Sequence, residues 1–214
     1  MVLVPCVSAY QASTYGGVYS TGEDTSTMMS NANYRLSQMG YNSWGQAGDP
    51  GTAWNRMQSD QVFYFAGHGL PGALMFTDGS YLSGANSQNS NYDIDSFSSG
   101  QVNDMVLAVY MACNSASDDT QWTGYGNLLT SSYNRGIDNS VGFSSTISVD
   151  QSQYWSQRFM YYLDAGYSIN SAMGQASTET SNQYGWWNMG GLQNNVCRGD
   201  NSCARAIDPA QAGY

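Results

Sequence analysis

Gln61-Val-Phe-Tyr-Phe-Ala-Gly-His68-Gly-Leu-Pro-Gly72 is an apolar run that stops at the single histidine of a 214-residue chain. A second apolar run, Asp104-Met-Val-Leu-Ala-Val-Tyr-Met-Ala-Cys113-Asn-Ser115, stops in the same way at a cysteine 45 positions later. Short apolar runs rich in aromatic and β-branched residues, closed by glycine or small polar residues, read as strands buried on both faces. If the two strands lie side by side and parallel, His68 and Cys113 stand at one carboxyl edge of the sheet. That edge is where open α/β folds hold their ligands. A thiol beside an imidazole is the pairing from which a cysteine nucleophile and its base are made.

Working outward, residues 2–9 read as a first buried strand, followed by a loop rich in Gly, Tyr and Ser to Gly22. Glu23-Asp24-Thr25 opens a helix that carries Met28, Met29, Ala32, Leu36 and Met39 at helical spacing and stops at Gly40. Tyr41–Trp44 suits a short strand, Asp49–Met57 a short helix, and Gly72–Phe76 a hairpin arm. Residues 77–103 form a polar loop insertion with little periodicity, and loops of that length are usually functional or mobile. Beyond the Met105–Met111 strand come a helix over 124–133, a strand at Ser140–Ser145, and helices over Gln153–Ala165 and Ser168–Ser177. Strands alternating with helices predict a three-layer α/β/α sandwich with a mainly parallel central sheet. The chain is expected to form a single domain over 1–214, with a C-terminal extension from about 178.

Composition narrows the function classes. Six arginines and no lysine face sixteen acids, for a net charge of −10. Phosphate backbones and anionic lipid surfaces are bound by clustered cations, so a nucleic-acid or membrane-surface partner is excluded. No apolar run reaches the length of a membrane span. Solubility rests on uncharged Ser, Asn, Gln, Thr and Tyr, a balance common among exported and cell-surface proteins. The expectation is therefore an extracellular or cell-surface location. Met1–Tyr10 has neither the basic nor the long apolar part of a signal peptide, so any export signal is expected to be missing from this sequence.

The four cysteines are not equivalent. Cys197 and Cys203 bracket Arg-Gly-Asp-Asn-Ser at a spacing that closes a small disulfide loop, the alternative being two surface thiols. Cys6 reads as a small buried hydrophobe. No zinc-binding pattern is present, and no cofactor is expected. The acids Asp93 and Asp95 are the one candidate for a calcium site. Trp186-Trp187 reads as a plug in the core.

A cysteine attacks as its thiolate, which an imidazole helps to generate, and the same imidazole then protonates the leaving group. The tetrahedral oxyanion needs donors, for which the backbone N–H groups of Gly69 and Cys113 are the candidates. On the strand-end argument Ser8, Tyr10, Ser144 and Ser145 belong to the same edge. Asp118 and Asp119 follow the cysteine closely and reach the mouth of a basic-selective pocket; the alternative is two solvated loop acids.

The order of these motifs resembles the caspase-like cysteine peptidases of clan CD, which include legumain, gingipain, clostripain, metacaspases and the CHAT domains. Phe65-Ala-Gly-His68-Gly-Leu-Pro-Gly72 is similar to the legumain His-Gly-x-x-Gly segment, and Ala112-Cys113-Asn-Ser115 to its Ala-Cys-x-Ser. Gly124–Leu129, Val141–Ser145 and Phe159–Ala172 are similar in order and spacing to the second half of CHAT domains. The resemblance implies a caspase-like fold and hydrolysis of peptide or protein substrates through a thioester acyl-enzyme. It implies Cys113 as nucleophile, His68 as general acid and base, and Gly69 and Cys113 as the oxyanion hole. Met111 departs from the pattern: where several of these families place a polar or acidic residue beside the substrate pocket, this chain has an apolar wall. The competing reading is a catalytically silent binding or scaffold module on the same fold at the cell surface.

Overall fold

The structure, a computed structural model, describes residues 10–85, 92–118, 124–207 and 209. In chain order its main elements are β1 (Gln11–Tyr15), α1 (Ser26–Gln38), β2 (Asn42–Gln46), α2 (Pro50–Met57) and β3 (Val62–Ala66). Four short strands follow: β4 (His68–Leu70), β5 (Ala73–Met75), β6 (Tyr81–Ser83) and β7 (Tyr92–Asp93). The chain continues through β8 (Leu107–Met111), α3 (Leu128–Arg135), β9 (Asn139–Phe143), α4 (Val149–Asp164), α5 (Ile169–Tyr184) and β10 (Asn195–Gly199).

The central sheet runs β10-β9-β8-β3-β1-β2. All its neighbours are parallel except β10, which pairs antiparallel with β9 at one edge. Side chains alternate across it with the period of two that a pleated strand imposes. Val62, Tyr64 and Ala66 of β3, with Leu107, Val109 and Met111 of β8, join the core under α1, α4 and α5. Phe63 and Phe65, with Ala108 and Tyr110, join the opposite core under α2 and α3. Both faces are therefore covered, which is why β3 and β8 are uninterrupted apolar runs. The fold is a three-layer α/β/α sandwich of mainly parallel strands.

Several boundaries differ from the sequence reading. The first described strand lies at Gln11–Tyr15, inside the stretch expected to be a loop, while the expected strand over 2–9 and Cys6 lie outside the described residues. Small and hydroxyl side chains hide β1: Ser13 and Thr14 are fully buried without being apolar. Helix α1 starts at Ser26, so Glu23 and Asp24 precede it; Asp24 accepts the Ser26 N–H at 2.8 Å. Part of the 77–103 segment is ordered, because β6 and β7 complete a small second sheet in the order β4-β5-β6-β7. Helix α5 runs on to Tyr184, and the C-terminal segment supplies β10. Cys197 on β10 is bonded to Cys203, with Cα atoms 6.4 Å apart. Trp186 and Trp187 are not a core plug: they ride on a turn after Gly185 and are 54% and 93% exposed.

Candidate active site

Register decides which residues meet at the carboxyl edge. Ala66 of β3 lies opposite Met111 of β8, and the ladder extends one step further through the Gly67 N–H to the Met111 carbonyl at 3.1 Å. His68 and Cys113 each lie two residues beyond that pair, so parallel pairing carries both to one level. They line one cavity of about 270 Å³ together with Tyr19, Glu23, Thr25, Met28, Met111, Thr146, Ile147, Val149 and Ser152.

Cys113 sits in a tight turn after β8. Asn114 adopts a left-handed backbone (φ 56°), a conformation Asn tolerates better than most non-glycine residues. Its N–H donates to the Ser145 carbonyl at 3.0 Å. Ser115, fully buried, donates from Oγ to the Tyr110 carbonyl at 2.8 Å and accepts the Phe143 N–H at 3.1 Å. One hydroxyl thus ties the ends of β8 and β9 together beneath the cysteine. Cys113 is the one free cysteine among the described residues. Its Sγ accepts the Ile147 N–H at 3.3 Å and lies 3.5 Å from the Ile147 carbonyl oxygen. The Cys113 backbone N–H has no hydrogen-bond acceptor among the described residues.

His68 opens β4, and its ring packs edge-on against Tyr19 with centroids 4.5 Å apart. Nε2 faces the Thr21 hydroxyl at 3.1 Å and Glu23 Oε2 at 3.6 Å. This commits one side of the imidazole. The Thr21 hydroxyl, Glu23's own backbone N–H and the His68 ring together hold the Glu23 carboxyl below the usual carboxylate range. Tyr19 donates to the Met75 carbonyl at 2.9 Å, and burial pushes its phenol up to about 12, so it stays a neutral donor. No hydrogen bond links Cys113 to His68; catalytic pairs are often loose without substrate. Gly69 is a glycine by necessity, since a Cβ there would strike the Cys113 carbonyl oxygen and lie 2.7 Å from the Ala112 Cβ.

The sequence does not point to Glu23 or Thr21 as site residues: Glu23 and Asp24 look like acids that open a helix, whereas α1 starts at Ser26. The expected substrate residues divide. Met111 lines the cavity. Ser144 and Ser145 lie beyond the end of β9 but bond to the carbonyls of Asn194 and Gly191, at 3.3 and 2.9 Å, and leave the wall to Thr146 and Ile147. Asp118 is exposed and accepts from Asn127 Nδ2 at 2.9 Å, away from the cavity lining. Asp119 and Ser8 lie outside the described residues. Tyr10 is at the opposite edge, because it precedes β1, and there it packs on Tyr41. Asp95 pairs with Arg135 at 3.5 Å, and among the described residues no group of three or more His, Cys, Asp or Glu gathers as a metal site. No described helix is long and apolar enough to cross a membrane.

Neither a protein-family model nor a curated protein sequence matches the chain. Solved structures do. The Arg-specific cysteine proteinase gingipain R (RgpB) superposes with a TM-score of 0.61 at 13% identity, covering 94% of this chain and 49% of that one. The complex of Porphyromonas gingivalis RgpB pro- and mature domains gives 0.59 at 14% identity, over 94% and 50% of the two chains. Caspase-1 from Spodoptera frugiperda gives 0.55 at 9% identity, over 89% and 87%. This chain spans about half the length of the gingipain structures it matches. At such identities the likeness concerns architecture, and the architecture is the caspase-like fold of the clan CD cysteine peptidases.

Proposed function

We propose that this protein is a cysteine endopeptidase that cleaves peptide or protein substrates with Cys113 as nucleophile and His68 as general acid and base. The observation that carries the reading is the shared cavity, in which Cys113 and His68 come level at the sheet edge and Glu23 backs the imidazole. The Cys113 thiolate attacks the scissile carbonyl carbon, and the oxyanion is held by the N–H groups of Cys113 and Gly69. His68 protonates the departing amine, leaving a thioester on Cys113. The imidazole then takes a proton from water, which attacks the thioester and releases the acid. Glu23 acts through His68, holding its tautomer and stabilising the imidazolium. The Cys197–Cys203 bond supports an oxidising, extracellular or cell-surface setting.

The test is incubation of the wild type and Cys113→Ala with a fluorogenic peptide library, in reducing buffer and with and without calcium. Cleavage that disappears in the variant is the expected result. Silence in both, together with alkylation of Cys113 no faster in the wild type than in His68→Ala, would move the protein to the silent scaffold reading.

A further inference from the structure

The cavity beside Cys113 has a composition that selects what can enter it. Met28, Met111, Ile147 and Val149 supply an apolar wall. Two of its hydroxyls are engaged by the protein itself. Thr25 Oγ1 donates to the Ala66 carbonyl at 2.7 Å and accepts the Gly17 N–H at 3.0 Å, and the Tyr19 hydroxyl is bonded to Met75. Glu23, the one carboxylate in the lining among the described residues, faces His68 Nε2 at 3.6 Å, and its buried Oε2 has no hydrogen-bond partner there. None of the six arginines lines the cavity. Ser152, on the first turn of α4, is 2% exposed, and its Oγ likewise has no hydrogen-bond partner among the described residues. A buried hydroxyl is rarely left so.

We propose that this cavity receives the side chain preceding the cleaved bond, and that the side chain is uncharged, with an apolar stem and a hydrogen-bonding tip that meets Ser152 Oγ. Glutamine is the linear example and tyrosine the aromatic one. Among the described lining residues a guanidinium would have to draw Glu23 away from His68, and a carboxylate would meet no arginine; a buried charge needs such a partner. Ser152 is then a specificity-determining residue, and a plain hydrocarbon side chain would leave its hydroxyl unpaired. The inference rests on the peptidase reading of the site, but pocket preference can be measured without turnover.

The experiment titrates Cys113→Ala, and Cys113→Ala combined with Ser152→Ala, with amidated tripeptides ending in Gln, Met, Tyr, Phe, Arg or Asp. Binding is followed through the methyl signals of Met28 and Met111. Gln is expected to bind about tenfold tighter than Met, and Tyr about tenfold tighter than Phe. Both ratios should fall to about one without the hydroxyl. Tightest binding by the Arg or Asp peptide would overturn the inference, as would ratios near one in Cys113→Ala itself or ratios that survive Ser152→Ala. A failure of any peptide to shift the two methyl signals overturns it too. Cleavage of the same peptides by the wild type is read separately. Its absence removes the peptidase reading, while the binding ranking still judges the pocket.

Discussion

Glu23 illustrates what a residue gains from its surroundings. The Thr21 hydroxyl, its own backbone N–H and the His68 ring hold its carboxyl below the usual carboxylate range. An ionised partner favours the imidazolium, the form that protonates a leaving amine. Glu23→Gln removes that charge and should lower the peptide-cleavage rate at neutral pH about tenfold while leaving the circular dichroism spectrum intact. An unchanged rate would show that Glu23 does not act through His68. Gly69 makes a steric counterpart. A Cβ would push on the Cys113 carbonyl, so Gly69→Ala should leave the circular dichroism spectrum intact and reduce cleavage by about 100-fold, the usual cost of displacing a reacting group by about an ångström. His68 and Cys113 were legible in the sequence because each ends an apolar run. Glu23 and Thr21 were not, because their partner is more than forty positions away and two acids before a helix look like ordinary first-turn residues.

Among elements, β3 and β8 were legible for a physical reason: a strand buried on both faces by helices tends to be one apolar run, as these two are. β1 hides its burial behind Ser13 and Thr14, and β10, an edge strand, alternates half-buried and exposed residues that read as a tail. The 3₁₀ turn with Trp186 and Trp187 was misread because indole size suggests a core, whereas the turn that carries them stands at the surface. The side-chain link between the ends of β8 and β9 beneath Cys113 is not visible in sequence, since one buried serine makes it. Ser115 bridges the Tyr110 carbonyl and the Phe143 N–H from full burial. Ser115→Ala leaves both backbone groups without that partner and should cost about 2 kcal/mol in urea unfolding. Ser144→Ala, with one exposed bond to Asn194, should change stability by less than about 0.5 kcal/mol. Equal effects would mean that the Ser115 bridge contributes nothing to the strand ends.

At the scale of the whole molecule the charge balance of −10 sets how stability depends on pH. Burial raises the carboxyl pKa of Asp60, Asp93 and Asp138, although Asp60 also pairs with Arg56 at 2.8 Å. Through the interval between the ordinary carboxylate pKa and these raised values, the folded chain binds more protons than the unfolded one. Its stability therefore falls as pH rises through that interval. Glu23, Asp24 and Asp49 have lowered pKa values, through hydrogen bonds centred on Thr21, Ser26 and Thr52 respectively. Their contribution is present above the ordinary carboxylate range and is lost as pH falls through the lowered values. Repulsion among sixteen acids weakens on acidification and adds to the first trend. The two trends oppose one another, so the thermal midpoint should peak near the ordinary carboxylate pKa of about 4 and decline on either side of it. Asp60→Asn removes one raised carboxyl, so it should flatten the decline on the neutral side without moving the acid side. Scanning calorimetry from pH 3 to 8 checks both statements. A midpoint that climbs steadily to neutral pH would mean that the lowered carboxylates outweigh the buried ones, and that burial of Asp60 is compensated by Arg56 in full.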